Sequence, residues 1–240
     1  MPSAVRHISP IKGPLKQRKY SIIIPAAGSG SRMITYGAKP LLNLDGKGTL
    51  INRQVSLIQE AFRNHEIILV TGFQADKVMA NTPDNIVKIE NENYENTNVV
   101  RSIGMGLRVA TTDRVVIIYG DLVFNREALQ APMNKESMIV YDKKGTMKEE
   151  EVGCTIESDY VQQMFYELPN KWAQIAYLTG EELDIFKKVA WKRDNSMLFG
   201  FEAINQTIDR GGKFRCFSPK GMKVTDIDSS RDIRTAREIL

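Results

Sequence analysis

A run of small residues follows the first apolar segment of the chain, in "PAAGSGSRM" (25–33). It contains Gly28, Gly30 and Arg32 in the spacing Gly-x-Gly-x-Arg, and Lys39 follows seven residues after the arginine. Small residues let backbone N–H groups approach phosphate oxygens, so this loop predicts an anion nest. Arg32 would offer a planar fork to a phosphate, and Lys39 a mobile point charge. The alternative is a surface turn with two incidental cations.

Two common phosphate-binding patterns do not match this loop. A dinucleotide site requires Gly-x-Gly-x-x-Gly, and Met33 stands where the third glycine belongs. A P-loop requires Gly-Lys-Ser/Thr, and the loop reads "GSGSRM". Gly37 and Pro40 also prevent a helix from running directly out of the loop. A triphosphate held in another way therefore remains the favoured ligand.

Strands and helices alternate through the first half of the chain and would position this loop. Short apolar runs predict strands at 20–26, 66–72, 84–90 and 114–121, and helical periodicity predicts helices at 49–64 and 99–110. Such alternation implies right-handed crossovers and a mostly parallel sheet with helices on both faces. Ligands of such sheets bind beyond the carboxyl ends of the strands. The glycine-rich loop and Asp121 both fall at that edge.

The second half of the chain has a different character. Short strands joined by polar turns are predicted at 138–145, 150–158 and 160–168, and helices at 180–191 and 196–212. A last helix would be capped by Ser229 or Ser230. We therefore predict a single three-layer, Rossmann-like α/β domain over 20–240, with a small β-rich subregion at 137–217 on the acceptor side.

The charge distribution argues against a general nucleic-acid binder. The chain carries 33 basic and 29 acidic residues, and five of the basic ones lie within residues 1–20, which hold no acid. Without them the chain has 28 basic and 29 acidic residues, so its body is nearly neutral. Residues 1–19 are predicted to be a flexible basic extension, or an arm that contacts another subunit or an anionic partner.

Other compositional features restrict the location and the chemistry. No apolar run approaches the roughly 20 residues that span a bilayer, and the N-terminus lacks the apolar core of a secretory signal. The two cysteines, Cys154 and Cys216, are predicted to be reduced and buried, in a cytoplasmic protein. With only His7 and His65, a Cys/His zinc site is excluded.

Several segments together resemble one enzyme family. "PAAGSGSRM" followed by "KP" (39–40) is similar to the signature of nucleotidyltransferases with the sugar-nucleotide-transferase fold. "NENYENTNVVRS" (91–102), "VIIYGDLVFN" (116–125) and "DIDSSRDIRTAREIL" (226–240) resemble the bacterial phosphocholine cytidylyltransferases and related enzymes acting on small alcohol phosphates. "VVRSIGMGL" (99–107) resembles the base-binding segment of methylerythritol phosphate cytidylyltransferases, although its arginine is displaced and only Ser102 carries over.

The resemblance implies a reaction. A phosphate oxygen of a phosphorylated small alcohol or sugar would attack the α-phosphorus of a nucleoside triphosphate and expel pyrophosphate, with Mg²⁺ as cofactor. CTP is the expected donor. The alternatives are a sugar-1-phosphate uridylyl- or thymidylyltransferase and a non-catalytic nucleotide-binding module. Homo-oligomerisation remains open, and no specific nucleic-acid partner is expected.

The resemblance also implies roles for individual residues. Arg32 would stabilise the leaving pyrophosphate, and Lys39 the charge on the α-phosphate. Asp121 would bind Mg²⁺ together with one acid of the pair Asp226 and Asp228, of which Asp228 is favoured; the alternatives are a strand-end turn and a helix N-terminus. The nucleotide would be bound by the following residues: Ala26, Ala27, Gly28, Ser29, Gly30, Ser31, Gly72, Asn98 and Ser102.

The acceptor-binding residues are the least defined. Trp172 and Tyr177 are the candidates, in a segment that also contains Tyr166 and is followed by Trp191. A choline-like quaternary ammonium would require such aromatic rings or a nearby acid. The alternative is that these rings belong to the hydrophobic core. The acidic run 149–151 is predicted to be a solvated turn.

Overall fold

A computed structural model describes residues 19–131, 136–143 and 150–240, without the side chains of Ser31, Arg32 and Ile34. The predicted basic extension therefore lies outside the described residues, apart from Lys19. Glu149 of the acidic run also lies outside them.

The described chain contains eleven strands and six α-helices. The strands are β1 (Tyr20–Ala26), β2 (His65–Thr71), β3 (Val87–Glu90), β4 (Arg114–Ile118), β5 (Leu122–Phe124), β6 (Met138–Asp142), β7 (Val152–Glu157), β8 (Tyr160–Tyr166), β9 (Lys171–Thr179), β10 (Arg215–Phe217) and β11 (Val224–Asp226). The helices are α1 (Leu50–Ala61), α2 (Ala75–Ala80), α3 (Val99–Val109), α4 (Gly180–Trp191), α5 (Gly200–Ile208) and α6 (Asp232–Arg237).

Nine strands form one sheet in the order β3-β2-β1-β4-β9-β6-β10-β8-β7. Strands β3, β2, β1 and β4 are parallel, as are β6 and β10. The pairs β4–β9, β6–β9, β8–β10 and β7–β8 are antiparallel. The prediction of a mostly parallel sheet was therefore wrong, because β9 enters beside β4 in the opposite direction and the sheet is mixed.

Helices cover both faces of this sheet, which confirms the three-layer α/β arrangement. The alternating side chains of β1 show why, since Ile23 packs in the cluster with α3, α4 and α5, while Ile22 and Ile24 pack in the cluster with α1 and α2. All three isoleucines are fully buried. A strand buried on both faces must be apolar at successive positions, as "SIIIP" is.

A small two-stranded sheet brings the C-terminal segment to the centre of the molecule. Strand β11 pairs antiparallel with β5, so that Asp226 lies opposite Leu122. The backbone N–H of Ile227 then donates to the carbonyl oxygen of Asp121 at 3.1 Å. The acids near the C-terminus are thereby brought next to Asp121 across about a hundred residues of sequence.

The prediction that both cysteines are reduced and buried is confirmed in part. Cys154 is fully buried and Cys216 is partly buried, and both are free thiols. None of the helices in the described part of the chain has the length and apolar character needed to cross a bilayer.

Candidate active site

The glycine-rich loop opens onto a cleft of about 350 Å³ at the carboxyl ends of β1 and β4. From the loop itself, four residues of the predicted nucleotide-binding set line this cleft: Ala26, Ala27, Gly28 and Gly30. Ser29 is not among the lining residues. Residues 31–36 form a short 3₁₀ helix rather than an α-helix, in agreement with the breakers that follow the loop. The side chains of Ser31 and Arg32 lie outside what the structure describes, so the role of Arg32 stays a prediction.

Lys39 reaches from its own short 3₁₀ helix to two carboxylates in the cleft. Its Nζ lies 3.0 Å from Oδ2 of Asp121 and 2.6 Å from Oδ1 of Asp228. Burial lowers the pKa of Lys39, but the charges and hydrogen bonds of Asp121 and Asp228 outweigh it, so the pKa lies above its ordinary value. Lys39 is therefore a cation at neutral pH, and the fold brings together three residues that the sequence singled out separately.

Gly30 makes room for the lysine. Its φ is +56°, and a Cβ at this position would lie 2.8 Å from Cε of Lys39. The stem of Lys39 is held at its far end by two carboxylates, so it has little freedom to move aside. The glycine is thus required both by the left-handed backbone and by the close approach of the side chain.

Gly30→Ala is expected to lower the free energy of unfolding by about 1–2 kcal/mol, because an alanine at positive φ is strained and meets Lys39. Urea denaturation measures this change. Gly28→Ala is the control, because a Cβ there meets no atom within 4 Å; its effect should stay within about 0.5 kcal/mol. Equal losses in the two variants would contradict this account of the loop.

The predicted pair Asp226 and Asp228 is divided between two environments. Asp228 contacts Lys39, whereas Asp226 accepts a hydrogen bond from Nε2 of Gln174 at 3.1 Å and lies 4.0 Å from Nζ of Lys171. Burial raises the pKa of Asp226, and the charge of Lys171 opposes that shift. The structure supports Asp228 as the partner of Asp121, which agrees with the preference for Asp228. Asp226 lines the same cleft, and the charges of Asp121 and Asp228 also raise its pKa, so its part in a metal site stays a prediction.

The donor set suits a hard divalent cation at Asp121 and Asp228. Within the described residues there is no group of three or more His, Cys, Asp or Glu side chains that could hold a metal ion by themselves. Two carboxylates nevertheless converge on the same ammonium group, which marks a position where positive charge is favoured. Mg²⁺ is usually held by one or two carboxylates plus substrate phosphates, so two are sufficient.

The nucleoside side of the cleft is formed by the start of α3 and the segment before it. Ser102 lines the cleft and is buried; its Oγ accepts from Nδ2 of Asn91 at 3.2 Å. Asn98 also lines the cleft, and its Oδ1 accepts from the N–H of Val99, which caps α3. Asn91, Tyr94 and Thr97 are further lining residues that sequence reasoning missed, although they lie within the polar run after β3.

Gly72 has a supporting position in this region. It is not among the lining residues, and a Cβ there would lie 2.7 Å from both the carbonyl oxygen of Ala27 and Cβ of Tyr94. The N–H of Phe73 donates to the carbonyl of Ala27 at 3.0 Å. Gly72 therefore lets the loop after β1 and the ring of Tyr94 approach each other.

Aromatic side chains form the opposite side of the cleft. Trp172 lines it and packs edge-on against Tyr119, with ring centroids 5.5 Å apart. Tyr177, the other predicted acceptor residue, is fully buried in the core with α1 and α2 and does not line the cleft, so that prediction was wrong. The error arose because successive residues of a strand point to opposite sides of the sheet, so two aromatic rings on one strand do not have to share a side.

Other aromatic residues of the second half of the chain differ in the same way. Trp191 packs against the guanidinium group of Arg108 and is not among the residues that line the cleft. The further rings that line it on this side are Tyr166, Phe199 and Phe201.

Part of the acidic run is buried in the cleft, contrary to the prediction of a solvated turn. The carboxylate of Glu151 is 10% exposed and lies 2.5 Å from Nζ of Lys171, which is 12% exposed. Glu150 is exposed and also lines the cleft. Lys171, Glu151 and Gln174 were missed as site residues because local sequence gives no sign that these distant segments meet.

Comparisons with known proteins agree with this geometry. The family model described as the MobA-like NTP transferase domain matches residues 22–152. The bifunctional protein GlmU of Francisella philomiragia is 35% identical over 102 residues, which are 42% of this chain and 22% of that protein. The match thus spans about a fifth of the length of that curated relative.

Solved structures share the fold at low sequence identity. CTP:phosphocholine cytidylyltransferase from Streptococcus pneumoniae has a TM-score of 0.72 and 18% identity, covering 93% of this chain and 99% of that one. The inositol-1-phosphate CTP transferase from T. maritima has a TM-score of 0.72 and 15% identity, covering 93% and 96%. A putative glucose-1-phosphate thymidylyltransferase from Bacillus anthracis has a TM-score of 0.73 and 16% identity, covering 92% and 94%.

Proposed function

Since this chain belongs to the family of MobA-like NTP transferase domains, we propose that it transfers a nucleotidyl group from a nucleoside triphosphate to a phosphorylated small alcohol or sugar. The observation that carries this proposal is the convergence of Lys39, Asp121 and Asp228 at the mouth of the glycine-rich loop. One cleft thus contains a loop of small residues, a cation and a pair of carboxylates, and groups of these kinds suit phosphoryl transfer.

The proposed reaction is a single displacement at phosphorus. An oxygen of the acceptor phosphate forms a bond to the α-phosphorus, the bond from that phosphorus to the bridging oxygen breaks, and pyrophosphate leaves with the electron pair. The attacking oxygen is already anionic near neutral pH, so no side chain has to remove a proton. The contribution of the protein is therefore positioning and neutralisation of charge.

Different residues of the cleft would bind the triphosphate, stabilise the charge on the α-phosphate and hold the metal ion. The backbone of residues 26–30 would hold the triphosphate, with Arg32 directed to the leaving pyrophosphate. Lys39 would transfer its contacts from the carboxylates to the α-phosphate as negative charge develops there. Asp121 and Asp228 would then hold Mg²⁺, which when bound neutralises phosphate charge and orients the triphosphate.

CTP is the proposed donor, and its base would lie against the start of α3. The buried pair Ser102 and Asn91 offers polar groups there that a base could satisfy. Two proteins of the same fold carry CTP-dependent activities in their names. The second candidate is a sugar-1-phosphate uridylyl- or thymidylyltransferase, which the similarity to a putative thymidylyltransferase favours.

A matrix of substrates tests the proposal. Pyrophosphate release would be measured with Mg²⁺, crossing CTP, UTP, dTTP, GTP and ATP against phosphocholine, aminoethylphosphonate, inositol 1-phosphate and glucose 1-phosphate. We expect release with CTP and one class of acceptor. Release with UTP or dTTP and a sugar phosphate would favour the second candidate. Binding of triphosphate without turnover in any pair would support the non-catalytic module and contradict the proposal.

A further inference from the structure

One polar side chain lies in the buried, otherwise apolar face of α1. Gln54 is 1% exposed there, among Leu50, Ile51, Val55 and Ile58. A buried amide destabilises a protein unless its polar atoms are hydrogen-bonded, and Oε1 of Gln54 has no partner within the described part of the chain. A leucine would fill this position without that cost, so the glutamine points to a use for its amide nitrogen.

The amide nitrogen of Gln54 joins the two ends of one turn. It donates to the carbonyl oxygen of Tyr119 at 3.0 Å and to that of Leu122 at 2.7 Å. These residues are the first and last of a β-turn between β4 and β5, which the N–H of Leu122 closes by donating to the carbonyl oxygen of Tyr119 at 3.3 Å. Asp121 is the third residue of this turn. Gln54 therefore holds the backbone on both sides of Asp121.

Two other segments hold the same turn through backbone hydrogen bonds. The N–H of Gly120 donates to the carbonyl oxygen of Pro25 in β1, and the N–H of Ile227 donates to the carbonyl oxygen of Asp121, both at 3.1 Å. Ile227 immediately precedes Asp228, so the second of these bonds relates the two carboxylates to each other. Gln54 adds a constraint from α1, on another side of the turn.

The position of this turn matters more for a metal ion than for the lysine that now contacts Asp121. The side chain of Lys39 has four methylene groups, so its ammonium can follow a carboxylate that shifts slightly. Mg²⁺ instead requires nearly ideal octahedral geometry, with ligand oxygens at about 2.0–2.1 Å. A small displacement of the turn would therefore preserve the ion pair with Lys39 but weaken metal binding.

We propose that Gln54 is a positioning residue for nucleotidyl transfer, whose amide holds the turn of Asp121 where its carboxylate meets the metal ion. The inference rests on the proposed function, because that function assigns Asp121 to a magnesium site. Gln54 is not among the residues that line the cleft, so it acts through Asp121 and touches neither substrate. Removing such a partner of a metal ligand typically lowers metal affinity or activity by about 10–100-fold.

The experiment measures metal binding directly as well as activity. Gln54→Met keeps the length of the side chain and removes the amide. In titrations without nucleotide, followed by the electron paramagnetic resonance of Mn²⁺, this variant should have a Kd for Mn²⁺ about tenfold above that of the wild-type protein. In steady-state assays it should require about tenfold more Mg²⁺ for half-maximal rate, with KM for the acceptor within about twofold of the wild-type value.

A double-mutant cycle tests whether the effect passes through Asp121. When Asp121→Asn is already present, adding Gln54→Met should change the Kd for Mn²⁺ by less than about twofold, because the carboxylate to be positioned is absent. Gln54→Asn, whose amide is one methylene too short to join both carbonyl groups, is the second variant. It should raise the Kd for Mn²⁺ at least about threefold, since part of the hydrogen bonding is lost.

Ser21→Ala is the matched control for stability. It removes a buried hydrogen bond, from Oγ of Ser21 to Oε1 of Glu66 at 2.5 Å, at the amino end of β1 and therefore at the edge of the sheet opposite the cleft. It should lower the midpoint of urea denaturation, as Gln54→Met does, and leave the Kd for Mn²⁺ unchanged.

Equal changes of this Kd in Ser21→Ala and Gln54→Met would overturn the inference, because general loss of stability would then explain both. Additive effects of Gln54→Met and Asp121→Asn would overturn it also. Neither result would affect the proposed function, which pyrophosphate release tests. Absence of release with every pair of substrates would overturn the proposed function, and the Mn²⁺ cycle would still decide whether Gln54 positions Asp121.

Discussion

Lys39→Met is expected to lower the rate of nucleotidyl transfer by about 10²–10³-fold, because it removes the cation proposed to stabilise charge on the α-phosphate. Methionine keeps an unbranched chain of similar length, so the packing of the stem against Gly30 changes little. The loss should appear mainly in kcat at saturating substrates, since the interaction is made in the transition state. Steady-state release of pyrophosphate is the measurement.

The same variant should have an opposite effect on the cation. In the free protein the ammonium of Lys39 lies against Asp121 and Asp228, so it competes with a metal ion for their charge. Lys39→Met should therefore bind Mg²⁺ more tightly in titrations without nucleotide. Lys188→Met, an exposed substitution at the end of α4, should change neither quantity. Unchanged kcat in Lys39→Met would rule out the proposed role of Lys39.

Asp121→Asn is expected to lower kcat by about 10³-fold, because it removes one of two carboxylates proposed to hold Mg²⁺. A metal ion supplies several kcal/mol of charge stabilisation, and each 1.36 kcal/mol corresponds to about a tenfold change in rate. The variant should also require higher Mg²⁺ for half-maximal activity. Rates measured across a Mg²⁺ titration, with EDTA as the zero point, test both effects.

Two further substitutions make this experiment specific. Asp184→Asn lies on the exposed face of α4 and should behave as the wild-type protein. Asp226→Asn should change the Mg²⁺ requirement less than Asp121→Asn does, because the contacts of Asp226 are to Gln174 and Lys171 rather than to Lys39. If Asp226→Asn changed the Mg²⁺ requirement as strongly as Asp121→Asn, Asp226 would belong to the metal site after all.

The local sequence was sufficient to predict the parts that depend on neighbouring residues. The apolar run of β1 has the composition of a strand buried on both faces, and Gly28 and Gly30 have no side chains that would keep phosphate from the backbone. The glycine-rich loop and Asp121 were predicted at one edge of the sheet, and Gly28, Gly30 and Asp121 line the same cleft there. That edge could be predicted because strands that alternate with helices run parallel, so their carboxyl ends meet.

Only the tertiary structure decided which distant groups face each other. Asp226 and Asp228 are two residues apart and are chemically identical in the sequence; the pairing of β11 with β5 directs Asp228 to Lys39, while Asp226 meets Gln174. The antiparallel direction of β9, and a shift in its register with β6 between Val140 and Tyr141, place Gln174 in the cleft and Tyr177 in the core. Strand direction, register and bulges arise from contacts between segments far apart in the chain, and a pattern read along one segment does not contain them.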